Sequence, residues 1–153
     1  MQNPPTPNRF LLHLGIASVH WRFAVGESLI SVIDDDKSVR RTTKLLIESF
    51  GFRAAAFESA ENFLSSGRLD DTSCLIVDVQ LPGINGLQLQ SQLAAADCQI
   101  PIICITAYDN KESRRRAMRA GAVAFLGKPF TDEELLQWIR STLRQEKGGM
   151  ETT

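Results

Sequence analysis

Cys74-Leu75-Ile76-Val77-Asp78-Val79-Gln80-Leu81-Pro82-Gly83-Ile84-Asn85-Gly86 reads as a buried strand, a carboxylate at its end, and a tight loop. Cys74 to Val77 is apolar without a break, as an interior strand of a parallel sheet is. Pro82-Gly83 and Asn85-Gly86 mark the turn. Leu87 to Ala96 then reads as a helix, with Leu89 and Leu93 four apart on one face. Strand, loop and helix in that order make one unit of an open α/β sheet, in which ligands bind outside the carboxyl ends of the strands.

The same unit recurs on both sides. Leu29 to Ile33 is an apolar run ending in Asp34-Asp35, and Lys37 to Phe50 follows as a helix stopped by Gly51. Phe52 to Phe57 is a short strand, and Ser59 caps a helix through Ser66. Pro101 opens a run that ends in Thr106, and Asn110 to Ala120 is a helix stopped by Gly121. Gly121 to Gly127 is a fifth strand, ending in Lys128-Pro129. Thr131 and Glu134 form a capping box for a last helix striped by Leu135, Leu136, Ile139 and Leu143. Five strands alternating with five helices predict a doubly wound α/β domain, (βα)5, with a parallel sheet covered on both faces.

Bulk composition narrows the function classes. The chain has 153 residues, 43% apolar and 23% charged, which suits one soluble globular domain. A net charge of −1 offers no general attraction to nucleic acid. Cys74, Cys98 and Cys104 form no C-x-x-C pair and are odd in number, which argues against a zinc site or disulfide framework and for a reducing cytoplasm. Residues 1–28 differ from the rest, with Pro4, Pro5 and Pro7 and a stretch broken by His13, His20 and Arg22. That stretch is too short and too broken to span a membrane. Arg9 ahead of it allows a leader peptide, against the plainer reading of a loosely ordered extension. Gly148-Gly149 is expected to release a tail at 147–153, leaving a domain at 29–146.

Four strand ends therefore converge on one pocket holding carboxylates, a hydroxyl and an ammonium. Asp36 can be the plain N-cap of the first helix, but three consecutive carboxylates exceed what a cap needs, and they repel one another. A divalent cation such as Mg²⁺ relieves that repulsion and accepts one or two carboxylates among its oxygen ligands. Asp78 ends a strand too apolar to be a surface loop and is a nucleophile candidate able to form an acyl phosphate. Thr106 can donate to a phosphoryl oxygen. Lys128 is better explained as a charge partner for the acids than as a solvated lysine, and a cis Lys128-Pro129 peptide would aim it into the pocket.

These residues resemble the receiver domains of two-component response regulators. The resemblance runs from about Leu29 to Gln145, through IDDDKSVR, LIVDVQLPGINGLQL, ICITAYD and AFLGKPF, and the wording is nearest the branch that includes nitrogen-fixation regulators. It implies a flavodoxin-like sheet in the order 2-1-3-4-5 and a phosphorylation switch rather than an ordinary enzyme. Asp78 would be the phosphoacceptor. Asp34, Asp35, Asp78 and the backbone carbonyl of Gln80 would bind Mg²⁺. Lys128 would hold the phosphoryl group, Thr106 would close onto it, and Phe125 would be the aromatic switch that turns inward. The implied partners are a sensor histidine kinase or phosphotransfer protein upstream and a protein downstream, met through the fourth helix, fifth strand and fifth helix. A phosphorylation-dependent dimer is compatible with this, and neither nucleic acid nor membrane is an expected partner of this stretch.

Some details depart from the family pattern or stay open. The acid pair can be read one position later, but Asp34-Asp35 places Val39-Arg40 where relatives have them. Phe125 stands where some relatives have tyrosine, so the switch carries no hydroxyl. Tyr108 is bulky enough to hinder water at a phosphorylated Asp78. Arg114, Arg115, Arg116 and Arg119 read either as a solvated helix face or as a surface for an acidic partner. A haloacid-dehalogenase-like phosphatase would use Asp34-Asp35-Asp36 as D-x-D, but Ser38 misses that pattern and Asp78 would have no role. A receiver that only binds and no longer transfers phosphate is a third reading. Eight residues after Gln145 are too few for a helix-turn-helix, so a stand-alone receiver or part of a longer regulator is expected.

Overall fold

The computed structural model describes residues 28–151. The expected extension at 1–28 lies outside them except for Ser28, as do the last two residues of the expected tail. Ten elements alternate: β1 (Leu29–Ile33), α1 (Lys37–Ser49), β2 (Arg53–Phe57), α2 (Ala60–Ser65), β3 (Thr72–Asp78), α3 (Gly86–Ala95), β4 (Ile102–Thr106), α4 (Lys111–Arg119), β5 (Ala124–Gly127) and α5 (Asp132–Glu151). The strands form one parallel sheet in the order β2-β1-β3-β4-β5, the flavodoxin-like arrangement.

Both faces of the sheet are covered because its central strands are mostly apolar and buried at nearly every position. One core packs Leu75, Val77 and Cys104 against Phe63 of α2, Leu89 of α3 and Ala117 of α4. The other packs Ile30, Val32, Ile76 and Ile103 against Ile47 of α1 and Leu135 and Ile139 of α5. Side chains alternate between the faces with the two-residue period of a strand. Among the described residues no helix is long and apolar enough to cross a membrane.

Register aligns the strand ends. Ile33 lies opposite Val77, so Asp34 follows level with Asp78. Thr106 lies opposite Gly127, one residue before Lys128. Three helix starts are capped as the sequence suggests: Asp36 accepts from the backbone of Ser38 and Val39, Ser59 accepts from Asn62 N, and Thr131 and Glu134 bond reciprocally.

Three boundaries differ from the sequence reading by more than one residue. The fifth strand begins at Ala124 rather than Gly121, because residues 121 and 122 still close the end of α4: Gly121 donates to Met118 and Ala122 to Ala117. Strand β3 begins at Thr72, whose hydroxyl pairs with that of buried Ser31 at 2.8 Å. Gly148 and Gly149, expected to release a tail, lie within α5; glycine costs a helix about 1 kcal/mol per residue and does not by itself end it.

Candidate functional site

Asp34, Asp78 and Lys128 meet at the carboxyl edge of the sheet, carried by β1, β3 and β5. Lys128 Nζ lies 2.9 Å from Asp34 Oδ2 and 2.7 Å from Asp78 Oδ2. The second oxygen of each acid accepts from the backbone two residues on: Asp36 N donates to Asp34 Oδ1 at 2.9 Å, and Gln80 N to Asp78 Oδ1 at 2.8 Å. These turns orient both carboxylates, and both acids are buried. Asp35 is exposed, yet its carboxylate and those of Asp34 and Asp78 offer oxygens within 4.8 Å of one another.

Three carboxylates facing one ammonium leave an excess of negative charge. Burial raises the pKa of Asp34 above the usual carboxylate value, against the opposing hydrogen bond from Lys128. Burial pulls the Lys128 ammonium down, but the hydrogen bonds it donates to Asp78 and Asp34, with their charges, outweigh it and raise its pKa. An all-oxygen donor set with surplus negative charge and an open, exposed member suits a hard divalent cation such as Mg²⁺. The Lys128-Pro129 peptide is cis, as the sequence reading expects.

Neighbouring residues hold this frame in place. Asp34 N donates to Phe57 O at 3.1 Å, and Arg40 Nη1 donates to Asp34 O at 2.8 Å. Gly86 lets α3 start against the acid-bearing strand: a Cβ there would lie 2.8 Å from Val79 Cα and 2.9 Å from Asp78 O. Glu61 of α2 accepts from Ile84 N at 3.1 Å and steadies the loop after Asp78. Thr106 is buried, and its Oγ1 accepts from Tyr108 N at 3.0 Å, which leaves its own proton to donate. Tyr108 itself is 65% exposed.

Phe125 is already inward, 4% exposed and packed in the core. The Arg114 guanidinium sits over its ring at 5.0 Å. Arg114 is thus not simply part of a solvated face, a contact that nothing in the sequence signals. The contacts of Arg40, Glu61 and Gly86 likewise carry no signal in the sequence beyond the Asn85-Gly86 turn.

Asp36 lies apart from the acid cluster. Its Oδ1 accepts from Ser38 N at 2.9 Å and Val39 N at 3.1 Å. That commitment removes the second aspartate which a D-x-D phosphatase motif needs, and it favours Asp34-Asp35 over the pair one position later.

Comparison with known proteins identifies the family. The family model described as the response regulator receiver domain matches residues 30–140. Nodulation protein W of Bradyrhizobium diazoefficiens is 42% identical over 121 residues, 79% of this chain and 53% of that protein. The transcriptional regulatory protein FixJ of the same organism is 36% identical over 116 residues, 76% of this chain and 57% of that protein. Among solved structures, the response regulator StyR superposes with a TM-score of 0.73 at 39% identity, over 82% of this chain and 65% of that one. The amino-terminal domain of FixJ superposes with a TM-score of 0.70 at 29% identity, over 76% of this chain and 94% of that one. The chain spans about half the length of the curated relatives it matches.

Proposed function

Because the chain belongs to the response regulator receiver domain family, and to the branch that includes the nitrogen-fixation regulators, we propose that it is a phosphorylation switch working through Asp78. The supporting observation is the Lys128 ammonium shared by Asp34 and Asp78 beside the exposed Asp35. A carboxylate oxygen of Asp78 bonds to phosphorus as the bond to the donor's histidine nitrogen breaks, and the electron pair leaves with the imidazole. Asp34, Asp35, Asp78 and the backbone carbonyl of Gln80 would hold Mg²⁺, and its charge would offset the repulsion between carboxylate and phosphoryl oxygens. Lys128 turns from the acids to the new phosphoryl group. Thr106 supplies a hydroxyl proton to the same group, and Phe125 occupies the inward position behind it.

The acyl phosphate adds roughly −1.5 to −2 charges near pH 7, by analogy with other phosphoresidues. The readout surface is α4, β5 and α5, where Arg115, Arg116 and Arg119 face an acidic protein partner or a second copy. The upstream donor is a histidine kinase or phosphotransfer protein, the working unit is residues 29–146, and the compartment is the cytoplasm. Nucleic-acid binding, where it occurs, belongs to sequence beyond this stretch.

Intact mass after incubation with acetyl phosphate and Mg²⁺ tests the reading. A phosphate adduct that needs Mg²⁺ and is absent in Asp78→Asn supports it. An adduct that persists in Asp78→Asn, or no adduct on folded protein, overturns it.

A further inference from the structure

We propose that Arg114 is a positioning residue of the switch, latching the Phe125 ring inward and tying it to the loop that follows Thr106. The inference rests on the phosphoacceptor reading above and adds to it a contact that sets the balance of the switch.

One guanidinium makes three contacts. Its carbon lies 5.0 Å from the Phe125 ring centroid. Its Nη1 donates to the backbone carbonyl of Phe125 at 3.2 Å. Its Nη2 donates to Asp109 Oδ2 at 2.7 Å. Asp109 belongs to the loop between Thr106 and α4, and it packs against Gly127 so closely that a Cβ there would lie 3.0 Å from Oδ2. Gly127 is the residue before Lys128. The latch therefore joins the loop beyond Thr106, the aromatic ring and the strand that delivers Lys128.

Arginine is the residue for this task, since its planar fork holds two acceptors while its face lies over a ring. Phenylalanine has no hydroxyl to anchor it in either position, so Arg114 supplies the polar term that packing alone lacks. Outward rotation of the ring breaks the contact over its face. The inward ring marks the state competent to accept the phosphoryl group, so a contact that raises that state's population raises the phosphorylation rate with it. The Arg114–Asp109 pair is partly exposed, with side chains 48% and 39% accessible, so salt loosens it.

The test places 4-fluorophenylalanine at position 125 and reads it by fluorine NMR in the wild type, Arg114→Ala, Arg114→Lys and Asp109→Asn. The rate of phosphorylation by acetyl phosphate with Mg²⁺ is measured on the same proteins. In Arg114→Ala the resonance moves toward that of a solvated ring, and the phosphorylation rate falls roughly two- to fivefold, the size of an exposed cation–π contact. Lysine restores part of both. Asp109→Asn weakens the latch without touching the ring and loses the salt dependence. An unmoved resonance in folded Arg114→Ala overturns the proposal, and so does a moved resonance with no change in rate. A wild type that takes up no phosphoryl group overturns the phosphoacceptor reading instead; a ring response to Arg114→Ala in that case reports packing and ends the switch role.

Discussion

Lys128 reaches fifty positions back along the chain to place its ammonium 2.7 Å from the carboxylate of Asp78. The contact joins β3 to β5 across the carboxyl edge of the sheet, with β4 between them. The same ammonium also serves Asp34, so one cation neutralises parts of two buried acids.

Removing that cation leaves the acids facing each other. Lys128→Met is expected to destabilise the domain by about 1–3 kcal/mol, the cost of leaving buried polar groups unsatisfied. Mg²⁺ should recover part of the loss by supplying the missing charge. Urea unfolding of both proteins, with and without Mg²⁺, checks this; equal losses in the two conditions would count against a cation site at these acids.

Asp34 makes stability depend on pH in an unusual direction. Its folded pKa is raised above 3.8 by burial, so the native state holds its proton more tightly than the unfolded chain does. Stability from this group is therefore present below pH 3.8 and is lost as pH rises through the higher folded value. Asp34→Asn, in chelator, should be more stable than the wild type at pH 7, and the gain should shrink toward pH 3.8. A gain that stays constant across that range would show that Asp34 is not the source. Lys128 acts at the other extreme: with its pKa raised above 10.5, its contribution persists below that pH and fades as pH climbs through the folded value.

Asp35 and Asp36 are adjacent but should separate cleanly. Asp36→Ala removes the cap of α1 and should cost about 0.5–2 kcal/mol, with Mg²⁺ affinity unchanged. Asp35→Ala should cost little stability, because the side chain is exposed, and should weaken Mg²⁺ binding. Paired thermal melts and Mg²⁺ titrations decide the matter, and the opposite pattern would shift the acid pair by one residue.

Gly86 and Gly67 offer a contrast between crowding and backbone strain. A Cβ at Gly86 would meet backbone atoms of Val79 and Asp78, which cannot swing aside. Gly86→Ala should cost about 1–3 kcal/mol, in the range of core overpacking, and should also slow phosphorylation by displacing Asp78. A Cβ at Gly67 meets nothing within 4 Å, and only its φ of +79° opposes a side chain. Gly67→Ala should cost about 1–2 kcal/mol and leave phosphorylation alone. Denaturation midpoints with acetyl-phosphate rates on both variants test the distinction.

Much of this is legible in the sequence. The largely apolar runs ending at Asp34, Asp78, Thr106 and Lys128 are a local signal, since a strand buried on both faces tolerates a charged residue most readily at its end. The capping residues Asp36, Ser59 and Thr131 act within three positions of themselves, so their sequence neighbourhood suffices. Boundaries were harder where two local rules compete. Gly121 and Ala122 have the composition of a strand start but are spent closing α4, and Gly148-Gly149 looks like a helix stop yet lies within α5.

Sequence alone determined the alternation of elements, the caps and the residue types gathered for the site, because each depends on neighbours a few positions away. Tertiary structure decided which partners those residues meet. Register sets Asp34 level with Asp78, Lys128 returns from β5 to bridge them, and Gly86 admits α3 against the acid-bearing strand. Arg114 lies eleven positions before Phe125, on a different element, and the guanidinium finds the ring only because α4 folds down beside β5. Contacts of that kind depend on distances through space, which no short stretch of chain encodes.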